Sequence, residues 1–352
     1  MPYCRKCGAK LDDDARFCPT CGTAVATIAV ATKPTAPKRK SVYILPVAIL
    51  IALSVSAVVI GSLLVLPIYP VHFNQTKQVP ATGMDNLFLD FQVDIAQVNI
   101  TFEDLPDKMA VLNVTVDGGM GIFDDPNRAI NVTFDHIATN NSVAIFARVS
   151  QNSLLPVLHN LDVKCDIYID PSANATLQVH SNIGNIVVDE DTKGILQRIN
   201  LETSTGSIDV NLSGGAVAAG SISLRTTTGR VQFKMDEADV AGNMSVNLQS
   251  TTGAVNADFT AVHRLAGNIT VNARTTTGII NLDMAIDGDV GARIASATNL
   301  GTITADVKSF SGTQSPIQSN NYPAGSNFLV NLRTETGGIG INAAYGSSST
   351  LN

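Results

Sequence analysis

The chain has 352 residues, a formal net charge of −7, five cysteines, 27 glycines and no tryptophan. An apolar fraction of 45% excludes a wholly disordered chain, and this length can bury a full core without covalent cross-links. The odd number of cysteines argues against a complete disulfide framework, and the absence of tryptophan argues against sugar binding by aromatic stacking.

The charge is unevenly distributed along the chain. Residues 1–40 hold eight basic and three acidic residues, residues 41–66 hold none, and residues 67–352 hold 15 basic and 27 acidic residues. Four of the five cysteines lie within the first 21 residues. The net charge of −7 therefore combines a basic N-terminal segment with an acidic C-terminal one.

Two Cys-x-x-Cys pairs open the sequence, Cys4 with Cys7 and Cys18 with Cys21, and glycine follows each pair. This spacing is typical of a structural Zn²⁺ site, in which two tight turns aim four thiolates at one tetrahedral ion. Four thiolates fill the coordination shell, so we do not expect catalysis by this metal. We predict a zinc ribbon over residues 1–23, with structural Zn²⁺ held by these four cysteines.

The segment from Cys4 to Gly22 resembles the short zinc-ribbon domain found at the N-terminus of many prokaryotic membrane proteins. The resemblance covers residues 3–23 and implies two β-knuckles around one zinc. Some zinc ribbons bind nucleic acid, but a zinc-bound tetrathiolate is negative and few aromatic residues accompany it here. We therefore expect a docking module for a cytoplasmic protein partner rather than nucleic-acid binding. Residues 24–40 predict a flexible basic linker.

The segment from Val42 to Leu66 is apolar and uncharged. Its 25 residues would form a helix about 37 Å long, enough to cross a hydrocarbon core of about 30 Å. A soluble core helix would have a polar face, and a signal peptide would be shorter and nearer the N-terminus. The sequence thus predicts one transmembrane helix over 41–69, in a lipid bilayer. The basic residues 38–40 place the N-terminus in the cytoplasm and the C-terminal domain outside the cell.

Asn-x-Ser/Thr sequons support the same orientation, because every one of them follows the apolar segment. There are nine sequons, at Asn74, Asn99, Asn113, Asn131, Asn140, Asn174, Asn211, Asn243 and Asn268.

A Ser/Thr-x-x-Gly motif recurs seven times in the C-terminal half of the chain. The glycines are Gly184, Gly206, Gly229, Gly253, Gly278, Gly301 and Gly337, with spacings of 22, 23, 24, 25, 23 and 36 residues. Ile or Val stands two residues after each glycine, and Ile, Leu or Val stands seven before it. The long last spacing is explained by a polar insert near Ser311–Pro323.

Apolar residues alternate within each copy, which indicates two strands with a glycine bend between them. A unit of about 23 residues cannot bury its apolar face alone, so stacking predicts a β-solenoid of about seven rungs over 171–346. An antiparallel sandwich is the alternative, although it does not require such regular columns. The stacked Ser and Thr residues predict a ladder of hydroxyl groups.

Residues 83–170 alternate without the glycine column and predict an antiparallel β-rich cap. The predicted fold class is therefore mainly β: a small Cys4 zinc ribbon, one transmembrane helix, the cap and the solenoid. The repeated Thr-x-Thr-Gly-x-Ile pattern resembles a family of β-strand-repeat proteins of unknown function that are proposed to be adhesins. That resemblance spans residues 87–345, and the family offers no catalytic residues to carry over.

The outward positions of the repeat vary from copy to copy. The column four residues before the glycine contains Arg225, Arg274 and Arg333, a sparse basic stripe. The column three residues after the glycine shows no recurring pair of carboxylates, which an enzyme that cleaves polysaccharides would need. We predict no catalytic and no cofactor-binding residues. Cys165 alternates with apolar residues and is expected to be buried.

These features predict a non-enzymatic, single-pass membrane protein. Its external β-solenoid would serve adhesion or cell-envelope assembly, with a surface glycan or protein as partner. The alternative is a transmembrane sensor whose ribbon docks a cytoplasmic regulator. A carbohydrate-active enzyme is a third hypothesis, which would need two acids about 5–10 Å apart on one face of the solenoid.

Overall fold

The structure is a computed structural model that describes residues 2–25, 53–56, 69–81, 83, 85–120, 130–151, 160–236, 238–260, 264–312 and 315–346. The chain divides into two compact units, Met1–Val59 and Ile60–Asn352. The first contains the cysteine pairs, and the second is built from strands.

Most strands of the second unit alternate buried and exposed residues, as the sequence pattern predicts. In chain order they are β1 (Tyr69–Pro80), β2 (Asn86–Ile95), β3 (Gln97–Phe102), β4 (Lys108–Met120), β5 (Ile130–Ala138), β6 (Ser142–Gln151), β7 (Asn160–Ile169), β8 (Asn174–Ile183), β9 (Ile186–Glu190), β10 (Ile195–Thr205), β11 (Ile208–Leu212), β12 (Val217–Thr228), β13 (Val231–Asp236), β14 (Asp239–Thr252), β15 (Val255–Thr260), β16 (Arg264–Leu265), β17 (Ile269–Thr277), β18 (Ile280–Ile286), β19 (Val290–Leu300), β20 (Ile303–Lys308), β21 (Phe310–Ser311), β22 (Ile317–Ser319), β23 (Ser326–Thr336) and β24 (Ile339–Tyr345).

These strands form two sheets, and equivalent positions of successive repeats pair with one another within each sheet. The 11-stranded sheet has the order β1-β4-β7-β3-β9-β11-β13-β15-β18-β24-β20, and the 13-stranded sheet has the order β21-β22-β19-β23-β17-β14-β12-β10-β8-β2-β6-β5, with β16 paired to β14. Neighbours run parallel except at the ends of the sheets. Within the described residues, nine rungs contribute one strand to each sheet, so the architecture is a two-sided parallel β-solenoid.

A glycine stands at the corner between the two strands of each repeat. Gly229 has a φ of 147°, and a Cβ atom there would lie 1.9 Å from the carbonyl oxygen of Gly206 in the preceding rung. The other repeat glycines meet the backbone of a neighbouring rung at 1.8–2.0 Å in the same way. The corner therefore requires glycine both for its backbone angle and for the close approach of successive rungs.

The stacked Ser and Thr hydroxyl groups, three residues before each repeat glycine, do not donate hydrogen bonds to one another as they would in a simple ladder. Thr226 Oγ1 donates to the Gly206 carbonyl at 3.0 Å, and Ser250 Oγ donates to the Gly229 carbonyl at 2.9 Å. Each hydroxyl therefore ties its own rung to the glycine corner of the preceding rung in the stack. The same bond is made by Thr203, Thr275, Thr298 and Thr334.

We expect Thr226→Val to lower the free energy of unfolding by about 1–3 kcal/mol, because it removes a buried hydrogen bond with little change in shape. Ser181 is the matched control, since its buried Oγ has no hydrogen-bond partner in this structure. Ser181→Ala should therefore change stability by less than about 0.5 kcal/mol or increase it. Equal losses in the two variants, measured by denaturant unfolding, would show that the hydroxyl-to-glycine bond is unimportant.

The core lies between the two sheets and consists of stacked columns. The apolar position two residues after the glycine is fully or almost fully buried in Ile208, Val231, Val255 and Ile280. Phe233, Phe259 and Phe328 pack against one another in the core in tilted and edge-to-face contacts, with ring centroids 5.7 Å and 5.2 Å apart. Small aliphatic columns with aromatic fillers account for a filled interior without tryptophan.

The rungs do not stack in the order of the sequence. β17 pairs with β23 and β18 pairs with β24, so the rung of Gly337 lies directly on the rung of Gly278. The rung of Gly301, formed by β19 and β20, lies outside it. The polar insert forms the antiparallel hairpin β21–β22 beside β19, and the chain then returns to fill the position that was left open. This detour explains the long last spacing.

The expected antiparallel cap over 83–170 differs from the structure in four of its six strands. β2 and β3, and likewise β6 and β7, are parallel rungs of the same solenoid. β4 and β5 are antiparallel and lie towards the end of the stack, where β1 pairs with β4. The glycine column could not reveal the first rung because Ala96 takes the corner position between β2 and β3, where its N–H donates to Ile183 O at 3.0 Å.

The prediction of one transmembrane helix over 41–69 is corrected. In the described part of the chain, no helix is long and apolar enough to cross a membrane. The described residues of this segment, 53–56, are helical. Residues 41–52 and 57–68 of the predicted helix, and residues 26–40 of the predicted linker, lie outside the described residues.

The carboxyl side chain of Glu190 occupies an inward position of the solenoid. Glu190 is fully buried and aligns with Leu212 of the next rung. Its Oε1 atom accepts hydrogen bonds from the Thr192 amide at 2.9 Å and the Gly194 amide at 3.2 Å, whereas Oε2 has no hydrogen-bond partner in this structure. Burial raises the pKa of Glu190, and the bonds from Thr192 and Gly194 oppose that rise only in part.

This environment predicts a pH dependence of stability. A carboxyl whose pKa is higher in the folded state binds protons more tightly there, so Glu190 should favour folding most below about pH 4 and progressively less as the pH rises. Glu190→Gln, which is neutral throughout, should flatten that decline. Glu103→Gln, at an exposed position, is the control. The free energy of unfolding across this pH range is the measurement, and identical slopes for wild type and Glu190→Gln would contradict the assignment.

Candidate metal centre and outer faces

The two cysteine pairs lie in two similar turns of the first unit. Tyr3 bridges Lys10 and Phe17 bridges Ala24 in short antiparallel contacts. In the first turn, the Gly8 amide donates to the Cys4 carbonyl at 2.8 Å. Gly8 and Gly22 have φ angles of 73° and 69°, in the left-handed region that favours glycine. The glycine after each pair therefore closes a tight knuckle.

The four cysteine side chains converge on one point. The Sγ atoms of Cys4, Cys7, Cys18 and Cys21 all lie within 4.8 Å of one another. The Cys4–Cys21 and Cys7–Cys18 Sγ distances are both 3.6 Å, too long for a disulfide. A tetrahedral ion with metal–sulfur bonds of about 2.3 Å needs sulfurs about 3.8 Å apart, so the arrangement fits a four-thiolate metal site.

Two thiols of the cluster have strongly shifted pKa values. The Thr23 hydroxyl, 3.3 Å from Cys21 Sγ, lowers the pKa of Cys21 to about 6. The Ala9 amide lowers the pKa of Cys7, but the hydrogen bonds with the Cys21 and Cys18 thiols outweigh it and raise the value to about 12. Metal binding requires four thiolates, so it would release protons from this cluster.

The fifth cysteine is separate from this cluster. Cys165 is fully buried in the solenoid core, and burial raises its pKa to about 12. Within the described residues, the four N-terminal cysteines are the group of potential metal ligands that lie close together.

The outward side of the 13-stranded sheet is rich in arginine; we call it the basic face. We consider the six stacked rungs whose strands in this sheet are β10, β12, β14, β17, β23 and β19. On these rungs, the outward positions two, four, six and eight residues before the glycine hold two glutamates and five arginines. The arginines are Arg198, Arg225, Arg274, Arg293 and Arg333. The rung order brings Arg333 beside Arg274, so the sparse stripe of the sequence becomes more continuous in the structure.

The outward side of the 11-stranded sheet carries the opposite charge; we call it the acidic face. On the same six rungs, the outward positions one, three and five residues after the glycine hold two basic residues, Arg230 and Lys234, and four aspartates, namely Asp209, Asp258, Asp283 and Asp306. Burial raises the pKa of Asp258; the hydrogen bond with Thr260 and the charge of Lys234 oppose that rise, and the neighbouring Asp283 adds to it. The sequence reasoning missed this face because it considered the column at position three and not the one at position five.

Comparison with known proteins supports the ribbon and adds weak structural similarities. A zinc-ribbon domain model matches residues 3–25. Among solved structures, a proposed cell adhesion protein from Clostridium sporogenes is 14% identical, with a TM-score of 0.42, over 77% of this chain and 99% of its own. A proposed adhesin from Bacteroides fragilis is 13% identical, with a TM-score of 0.36, over 77% of this chain and 96% of its own. Among curated proteins, none matches this sequence.

Proposed function

We propose that this chain is a non-enzymatic scaffold whose β-solenoid presents a regular polar surface for adhesion or cell-envelope assembly. The observation that carries the proposal is the bonding of outward side chains along the stack. Asn272 Nδ2 donates to Asn247 Oδ1 at 3.0 Å, and Asn331 Nδ2 donates to Asn272 Oδ1 at 3.1 Å. These bonds hold the amides at the strand spacing of about 4.8 Å, so a partner meets the same groups at regular intervals.

The acidic face is ordered in the same way. Asn281 Nδ2 donates to Asn256 Oδ1 at 3.0 Å, and Asn342 Nδ2 donates to Asp283 Oδ1 at 3.1 Å. Many weak, identical contacts along a rigid surface can bind a repetitive glycan or protein partner tightly through multivalency. Both outer faces therefore suit attachment to extended partners.

For the first unit, we propose a structural Zn²⁺ site that forms a docking module for a partner protein. Cys4, Cys7, Cys18 and Cys21 would hold the ion, which supplies a cross-link between the two knuckles. The hydrophobic core of this unit is small, with Leu11 packed against Cys4 and Cys18. A core of this size needs the metal to stabilise the fold.

We also propose that the solenoid is exposed at the cell surface, which the nine sequons after residue 70 support. Protease treatment of intact cells should digest residues 70–352. Survival of this region together with loss of the ribbon would contradict the proposal.

Deletion of residues 83–352 tests the scaffold function in the source organism. We expect weaker attachment of cells to surfaces or lower envelope integrity under osmotic stress. A second strain that lacks residues 1–23 serves as the comparison, because it keeps the solenoid and loses the docking module. Unchanged attachment and integrity after loss of the solenoid would contradict the proposed function.

A further inference from the structure

Each outer face places like charges on paired strands. Arg274 stands opposite Arg333 on the basic face, and Asp258 stands opposite Asp283 on the acidic face. Arg274 is partly neutralised by Glu335, whose Oε1 lies 3.1 Å from its Nη2. Like charges on paired strands destabilise a sheet, so a surface of opposite charge would stabilise either face.

The basic column covers four consecutive rungs. Along β12, β14, β17 and β23 it presents Arg225, Gln249, Arg274 and Arg333. Within the described residues, Arg225 and Arg333 form no ion pair in the monomer. The column is about 14 Å long, since neighbouring strands are about 4.8 Å apart.

The acidic column covers four consecutive rungs as well. Along β15, β18, β24 and β20 it presents Asp258, Asp283, Asn342 and Asp306. Its length is the same, about 14 Å, because the strand spacing is the same.

The residues of the basic column of one chain complement those of the acidic column of another chain when the two columns run in opposite directions. Each arginine then meets an aspartate, and the single glutamine meets the single asparagine. The facing residues are Arg333 with Asp258, Arg274 with Asp283, Gln249 with Asn342, and Arg225 with Asp306. The match includes the position of the uncharged pair, not only the overall sign of the charge.

We propose that a second copy of this chain docks its acidic face on the basic face of the first, with the two solenoid axes antiparallel. This inference rests on the proposed scaffold function and names the chain itself as one partner of the solenoid. Each copy keeps one face of each sign available, so the contact is heterologous and can propagate into a lateral array. Pairing of opposite charges at matched positions fixes the register and orientation.

A second copy of the chain would provide a partner of opposite charge for both the basic and the acidic column, whereas an acidic polymer would provide one for the basic column alone. A polysaccharide or nucleic acid with negative charges would contact the arginines and leave the acidic column without a partner. The same chain supplies both columns at one spacing, because both derive from the same stacked rungs.

Sedimentation of the full-length chain at low and high salt tests the proposal. We expect self-association at low salt that weakens as the Debye length falls from about 10 Å at 0.1 M to about 3 Å at 1 M. The variants Arg274→Glu/Arg333→Glu and Asp258→Lys/Asp283→Lys should each raise the dissociation constant about tenfold or more, since each leaves two faces of the same sign. An equimolar mixture of the two variants should associate again, because each retains the face that the other lacks.

Arg148→Glu/Lys164→Glu is the matched control for Arg274→Glu/Arg333→Glu, with the same change of net charge at exposed positions outside both columns. It should associate like the wild type. A monomeric wild type at low salt, loss of association in the control, or failure of the mixture to associate would each overturn the proposal. Failure here leaves the attachment experiment unaffected, because a monomeric solenoid can still bind another partner.

Discussion

Replacing Gly337 with alanine is expected to destabilise the solenoid by about 4 kcal/mol or more, or to prevent folding. Gly337 has a φ of 139°, and a Cβ atom at this residue would lie 1.8 Å from the carbonyl oxygen of Gly278. Relief of that overlap requires separation of two stacked rungs, which would break the parallel pairing of β18 with β24. Thermal and denaturant unfolding of the full-length chain measure the loss.

The adjacent glycine provides the control. A Cβ atom at Gly338 would meet its nearest neighbour, the Thr302 carbonyl oxygen, at 3.6 Å, which is ordinary van der Waals contact. Gly338→Ala should therefore change stability by less than about 1 kcal/mol. Similar stabilities for the two variants would show that the rungs do not approach as closely at the corner as the structure indicates.

Removal of the metal is expected to unfold the first unit. Apparent zinc-binding free energies of about 10–16 kcal/mol in zinc-finger peptides exceed what the small core around Leu11 can supply. Cys18→Ser, or a strong chelator, should abolish hydrogen-exchange protection across residues 2–25. Protection in the solenoid should remain, since its core is filled by its own columns.

Metal analysis completes this test. One zinc per chain is expected for the wild type and less than about a tenth of that for Cys18→Ser, because three thiolates leave the site incomplete. Cys165→Ala is the control, since it removes the buried fifth cysteine and should leave the zinc content unchanged. Retention of zinc by Cys18→Ser, or full protection of residues 2–25 after chelation, would contradict the proposed site.

The local features of the fold were predictable because each depends on a chemical requirement of a few residues. Two knuckles need two Cys-x-x-Cys-Gly segments, and the structure brings those four thiols together. The corner of each of the seven repeats carries a glycine and a hydroxyl three residues earlier, so the sequence revealed which positions stack. The mainly β class followed from the same alternation.

The order of the rungs was not predictable from the repeat, because its copies are nearly interchangeable. The rung of Gly301 and the rung of Gly337 both offer an apolar face and a glycine corner that fit on Gly278. The only sequence signal of a different order was the long last spacing between repeat glycines, which includes the insert Ser311–Pro323. The rung formed by β2 and β3 escaped notice because Ala96 replaces the corner glycine.

The charge pattern of the outer faces depended on that order. In sequence order, Ala297 separates Arg274 from Arg333, whereas in the structure the two arginines are neighbours. The acidic column likewise acquires its order of Asp258, Asp283, Asn342 and Asp306 from the inserted rung. The matching columns were therefore visible only after the strands had been placed.

Disulfide cross-linking on the outer surface tests the rung order most directly. Asn272 pairs with Asn331 on neighbouring strands, whereas Ala295 lies two strands from Asn272, about 9.6 Å away. In the full-length chain, Asn272→Cys/Asn331→Cys should form a disulfide under mild oxidation, detected by peptide mapping. Asn272→Cys/Ala295→Cys should not, because a disulfide needs Cα atoms less than about 7 Å apart. A disulfide in the second variant and none in the first would show that the rungs follow the sequence and would contradict the structure and both charge columns.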